Sequence, residues 1–132
     1  MNIVFDTQAL LILYLDEKGA EHVMGLLKQV LDGKVKGYMS VVNLAELYYI
    51  LSRKSRKVAD EKERNIRRFG IKIIPVIDDA LWKEAATLKA NHSISIADAF
   101  AAASAKTLKS KLVTGADQEF DSLNIPIERI GV

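Results

Sequence analysis

Four acids stand out in the sequence for where they fall: Asp6, Glu46, Asp98 and Asp117. Each follows a short β-branched run or lies at the head of a stretch with helical apolar spacing, so each is expected near a helix start. Helix N-termini favour the ionised carboxylate, which keeps such groups available as hard oxygen ligands. Several of them in one crevice repel one another, and that arrangement makes sense only with a cation among them. Mg²⁺ and Mn²⁺ suit ligands of this kind. A metal so held can activate water, grip a phosphate and stabilise a leaving oxygen, which is the chemistry of phosphodiester hydrolysis.

Each acid taken alone has a purely structural reading. Asn43-x-x-Glu46 and Ser95-x-x-Asp98 both have the form of a capping box, in which the third-position carboxylate returns to the cap residue's N–H. Asp6 and Asp117 could be simple N-caps, worth about 1 kcal/mol each. An isolated acid in such a place is more often a cap than a catalyst. The weight of the functional reading rests on all four occurring together.

The elements that must position them alternate in type. Asn2 to Phe5 reads as a buried strand ended by Asp6, followed by helices over Thr7 to Leu15 and Glu21 to Leu31. Tyr38 to Val42 reads as a second strand. A helix then opens at Asn43, with Leu44, Leu47, Tyr48 and Leu51 at helical spacing, and continues through a basic segment to Phe69, where Gly70 ends it. Ile71 to Val76 is a third strand and Asp78 a cap for a helix through Asn91. Ala-rich Ser95 to Leu108 forms another helix, and Lys111 to Thr114 and Ile127 to Ile130 the last two strands. Strands alternating with helices imply βαβ units and a mostly parallel sheet between helix layers. Ligands of such sheets bind in the crevice beyond the carboxyl ends of the strands, so at least Asp6, Glu46 and Asp117 should point toward one crevice.

Composition sets the bounds. The 132 residues are expected to form one domain over 1–132, with 49% hydrophobic and 27% charged residues giving a globular profile. The absence of cysteine excludes disulfides, thiolate metal sites and cysteine nucleophiles, and fits a reducing interior. No signal-peptide pattern and no membrane-spanning apolar run are visible, so a cytoplasmic location is expected. The net charge of +2 is small but unevenly spread. Between Ser52 and Lys72 nine basic residues face only Asp60, Glu61 and Glu63, and this stretch reads equally well as a phosphate-binding surface or a solvated helix face.

Val4-Phe5-Asp6-Thr7, Ser40-Val41-Val42-Asn43-Leu44-Ala45-Glu46-Leu47, Ser95-Ile96-Ala97-Asp98-Ala99 and Val113-Thr114-Gly115-Ala116-Asp117, the last followed by Phe120, occur in that order along the chain. In order and spacing they resemble the PIN-domain family, including its VapC-type toxins, over essentially the whole length. The resemblance implies a three-layer α/β/α sandwich and a divalent-metal endoribonuclease. The matching acids Asp6, Glu46, Asp98 and Asp117 would hold Mg²⁺ or Mn²⁺, and Thr114 would support the site. It also implies RNA as substrate, a small antitoxin as partner and a homodimer. Two features depart from the pattern. Gln8 stands where Ser is common, and the Thr114 to Asp117 interval is one residue longer, leaving Glu119 and Asp121 as alternatives for the fourth acid.

Other candidates are weaker. His22 and His92 lack any ligand spacing, and Asp16, Asp32, Asp60, Asp78 and Asp79 fit turns, a charged face or a cap. Tyr48, Tyr49 and Trp82 read as core or interface residues before base-stacking ones. The apolar girth of Leu10 to Leu15 is expected from a dimer, a docked antitoxin or burial within the monomer alike. An aspartyl-phosphate phosphatase would need a second acid two residues after Asp6, and Gln8 stands there. The acid and Lys order of a receiver domain is missing, as are Gly-rich phosphate loops. The remaining rival is a non-catalytic RNA- or protein-binding module that keeps the fold.

Overall fold

The computed structural model describes all 132 residues. In chain order the elements are β1 (Asn2–Phe5), α1 (Thr7–Tyr14), α2 (Ala20–Leu31), β2 (Lys36–Ser40), α3 (Val41–Ser52), α4 (Arg56–Arg68) and β3 (Lys72–Ile74). They continue with α5 (Asp79–Asn91), α6 (Ile96–Thr107), β4 (Lys111–Thr114), a 3₁₀ helix (Gln118–Leu123) and β5 (Ile127–Arg129). All strand pairs are parallel, in the order β3-β2-β1-β4-β5. The sheet is sandwiched between helix layers, the three-layer architecture expected of the alternating pattern.

Strand alternation divides the core in two. Ile3, Phe5 and Val113 turn to one face and pack with Leu10, Leu27, Leu47 and Ile66 from α1 to α4. Val4 and Leu112 turn to the other, against α5, α6 and Phe120. Buried on both faces, β1 and β4 are therefore apolar throughout their interiors. Six alanines of α6 are buried, and small side chains there let the helix sit close to the sheet and to α5.

The chain winds from β1 out to β3, then crosses back to β4 on the other side of β1. The switch point therefore lies between β1, which ends at Asp6, and β4, which ends at Thr114.

Three local features differ from expectation. Strand β2 ends at Ser40, and Ser40 rather than Asn43 caps α3 by accepting the Val42 N–H at 3.2 Å. A cap hydroxyl outweighs the β preference of Val41 and Val42, which take the first helical turn. The helix expected to run to Phe69 breaks at Arg53 to Ser55, because Ser55 caps a new helix by accepting the Val58 N–H at 3.2 Å. The 3₁₀ helix after β4 carries no apolar period that would announce it.

None of Leu10 to Leu15 is exposed. The Tyr14 hydroxyl reaches Asn65 Oδ1 of α4 at 2.8 Å, so the chain's own fold covers this helix.

Candidate functional site

Asp6 leaves the end of β1 at the switch point, where its backbone turns into α1. Its Oδ1 accepts the Ala9 N–H at 2.9 Å, so it is indeed the N-cap of α1. Its Oδ2 accepts from the Thr114 hydroxyl at the end of β4. The residue is 2% exposed. Burial pushes its carboxyl up to about 6, with the Thr114 and Ala9 bonds pulling down and the nearby Glu46 and Asp117 charges pushing up.

Above Asp6 opens a cleft of about 340 Å³ lined by Glu46, Asp98, Asp117 and Glu119, together with Thr7, Gln8, Leu11, Ile50 and Ser95. The four expected acids thus gather at one place, with Asp6 beneath the lining rather than in it.

The capping readings divide. Asp117 is a true N-cap, its Oδ1 accepting the Glu119 N–H at 3.0 Å. Ser95 caps α6 by accepting the Asp98 N–H at 3.0 Å, but the Asp98 carboxylate makes no return bond to the Ser95 N–H. Glu46 lies in the second turn of a helix capped by Ser40, too far along to be a capping-box acid. Neither the Glu46 nor the Asp98 carboxylate bonds a helix-start N–H, although the Ser95 side chain lies against the Asp98 carboxyl and pulls it down.

Carboxylate oxygens of Asp98, Asp117 and Glu119 lie within 4.8 Å of one another. Burial, followed by the adjacent Glu119 carboxyl, pushes Asp98 up to about 8. A divalent cation would favour the ionised form of such a cluster, and the donors are all hard oxygens with no imidazole or thiolate among them. The residues fit Mg²⁺ or Mn²⁺.

Glu119 is the acid the four-residue pattern left out, although it was named as an alternative. Asp121, the other alternative, is engaged elsewhere, paired with Arg129 of β5. Arg129 also donates to the Gly115 carbonyl at 3.0 Å and to that of Asp117, clamping the loop that carries the acids. Sequence reasoning missed Arg129 because its partners lie a strand away.

Asn43 was missed for a related reason. Fully buried, its Nδ2 donates to Thr7 Oγ1 and to the Ala97 carbonyl, each at 3.2 Å, and the Thr7 hydroxyl donates to the Asn43 carbonyl at 3.1 Å. It ties the starts of α1 and α6, which carry Asp6 and Asp98, to α3, which carries Glu46. The signal was present as a lone amide in an apolar helix.

The family model described as the PIN domain matches residues 3–125. The chain belongs to the PIN-domain family. Among curated proteins no sequence matches it. Solved structures share the PIN fold at low identity. A chain of VapBC2 from Rickettsia felis, bound to a DNA fragment from its promoter, has a TM-score of 0.75 at 20% identity, covering 98% of both chains. FitAcB from Neisseria gonorrhoeae gives 0.69 at 24%, covering 95% of each. VapC20 from Mycobacterium tuberculosis, described as a sarcin–ricin loop cleaving toxin, gives 0.70 at 16%, covering 93% of this chain and 95% of that one. No helix of this PIN domain is long and apolar enough to cross a membrane.

Proposed function

We propose that this PIN-domain chain, a single domain over 1–132, is a cytoplasmic divalent-metal-dependent endoribonuclease and the toxin of a toxin–antitoxin pair. The observation that carries the reading is the convergence of Glu46, Asp98, Asp117 and Glu119 over buried Asp6, with Glu46 and Asp98 unexplained by capping. Asp6, Glu46, Asp98 and Asp117 are the proposed metal and catalytic residues, Glu119 joins them, and Thr114 supports Asp6.

Bound there, Mg²⁺ or Mn²⁺ would supply positive charge to a phosphate oxygen and acidify a water molecule. The chain's own groups prepare for that. Thr114 and the Ala9 N–H hold both oxygens of Asp6, which fixes the carboxylate under the cleft floor. Burial and the neighbouring Glu119 favour the protonated form of Asp98, and a cation held there would favour the carboxylate instead. Thr7 and Asn43 lock the three helix starts together, so the acids are positioned before any ligand arrives.

Support for a small antitoxin partner comes from the matched chains of VapBC and FitAB complexes, which share the fold along nearly their whole length. A homodimer belongs to the same reading, and size-exclusion chromatography with light scattering would detect it.

The function is tested by incubating a panel of single-stranded and structured RNAs with purified wild type and Asp6→Asn, in Mg²⁺, Mn²⁺ or EDTA. Cleavage by wild type in metal alone is the expected result. Equal cleavage by Asp6→Asn would place the activity elsewhere, and no cleavage of any RNA would favour the non-catalytic binding module.

A further inference from the structure

Along α3 one helical face leads out of the acidic cleft. Glu46 and Ile50 line the cleft, and Arg53, seven positions after Glu46, falls on the same side of the helix at 100° per residue. The axial step from Glu46 to Arg53 is about 10 Å at 1.5 Å per residue. Beside this stripe stands Tyr49, 47% exposed, with the Arg53 guanidinium 4.8 Å from its ring centroid.

The other aromatic candidates are engaged or stand off the cleft. The Tyr48 hydroxyl is held at 2.6 Å by both Asp60 and Arg56, and Trp82 stands on α5, no residue of which lines the cleft. The Tyr49 hydroxyl makes no hydrogen bond to any side chain or backbone group, and Arg53 pairs with no carboxylate. Lys54 and Lys57, at the same corner between α3 and α4, are exposed and likewise without an acidic partner.

We propose that Tyr49 and Arg53 form a nucleotide subsite at the rim of the acidic cleft, which seats one base and one backbone phosphate of single-stranded RNA. The proposal deepens the nuclease reading and rests on it for the position of the cleft's substrate. The guanidinium over the Tyr49 ring belongs to an exposed residue with no ion-pair partner, so its N–H fork is free for a phosphate to take bidentately. The exposed part of the ring offers a base an aromatic platform, and Lys54 and Lys57 add charge along the backbone's exit. A tyrosine platform is indifferent to base identity, so the subsite positions the strand more than it selects sequence. Charge also decides the occupant. Arg53, Lys54, Arg56 and Lys57 fall within five consecutive residues that include no acid, as suits a polyanion.

The test is binding of a fluorescein-labelled oligouridine single strand in EDTA, read by fluorescence anisotropy over a range of salt concentrations. Tyr49→Ala should weaken binding about tenfold while Tyr49→Phe binds as wild type does. Arg53→Ala should lower the slope of log K against log salt by about 0.7, the share of one phosphate contact on a single strand, with Arg53→Lys restoring it. On an RNA duplex Tyr49→Ala should have no effect, since no base is free to stack.

Wild type that does not bind the strand, alanine variants that bind like wild type, or a Tyr49→Phe loss equal to that of Tyr49→Ala would each overturn the subsite. Circular dichroism melts of the variants separate these outcomes from unfolding. Because no cleavage is read, a protein that binds through Tyr49 and cuts nothing overturns the nuclease reading alone. One that cuts RNA with an unchanged KM in Tyr49→Ala overturns the subsite alone.

Discussion

The proton that Asp98 holds in the absence of a cation follows from where α6 begins. Its carboxylate is drawn toward Glu119 and out of bulk water, so the folded chain prefers it protonated up to about 8, and Asp6 up to about 6, against an ordinary 3.8. A carboxyl raised on folding stabilises the fold fully below its unfolded value and loses that contribution as pH climbs through the folded one. The melting temperature in EDTA should therefore fall between about pH 4 and pH 8, and Asp98→Asn should remove the upper part of the fall. Saturating Mn²⁺ should flatten it, because binding to the folded state alone stabilises by mass action. A pH-independent melting temperature in EDTA would contradict this account. The choice of fourth acid is also a matter of single residues. Glu119→Gln should weaken Mn²⁺ binding about tenfold or more, whereas Asp121→Asn, whose carboxylate faces Arg129, should leave it within about threefold, as isothermal titration can measure. The sequence made Asp6, Glu46 and Asp98 legible through the elements they follow or open. It could not choose among Asp117, Glu119 and Asp121, because a 3₁₀ turn and an arginine on the following strand decide which carboxylates face the cleft.

Helix starts are the units that build the site, and their links carry both stability and geometry. Asn43→Ala would leave the Ala97 carbonyl and the Thr7 hydroxyl short of a buried donor, at a cost of about 1–3 kcal/mol that urea unfolding would register as a lower midpoint. Its cleft acids should also bind Mn²⁺ less tightly, since α1, α3 and α6 are no longer tied together. An unchanged midpoint would show that the amide is dispensable to that junction. Periodicity exposed β1 and β4 to the residue and most helices to within a turn, because burial on both sheet faces and on helix stripes leaves a pattern in one dimension. The start of α3 and the break before α4 were not legible. Both rest on a serine hydroxyl accepting a backbone N–H, which overrides propensity without altering the apolar pattern.

At the scale of the whole molecule, the fold's contribution is a crossing. Reversal of strand order between β1 and β4 opens the crevice, and three crossovers deliver acids to it from segments as distant in sequence as Asp6 and Glu119. A parallel sheet was readable from the alternation of elements, but its strand order is set by how the two core layers close on opposite faces, which no local stretch encodes. The same crossing lays α3 from the cleft outward, so Glu46 of the cleft and Arg53 of the basic corner fall on one side of one helix. The central claim is that these carboxylates are gathered to hold a divalent cation, and isothermal titration of Mn²⁺ into metal-free wild type and Asp98→Asn, each in two buffers of different ionisation enthalpy, tests it most directly. Saturable binding to wild type with proton release near pH 7, and loss of both in a folded Asp98→Asn, is the predicted result; no binding to wild type, or equal binding to the two proteins, would contradict it.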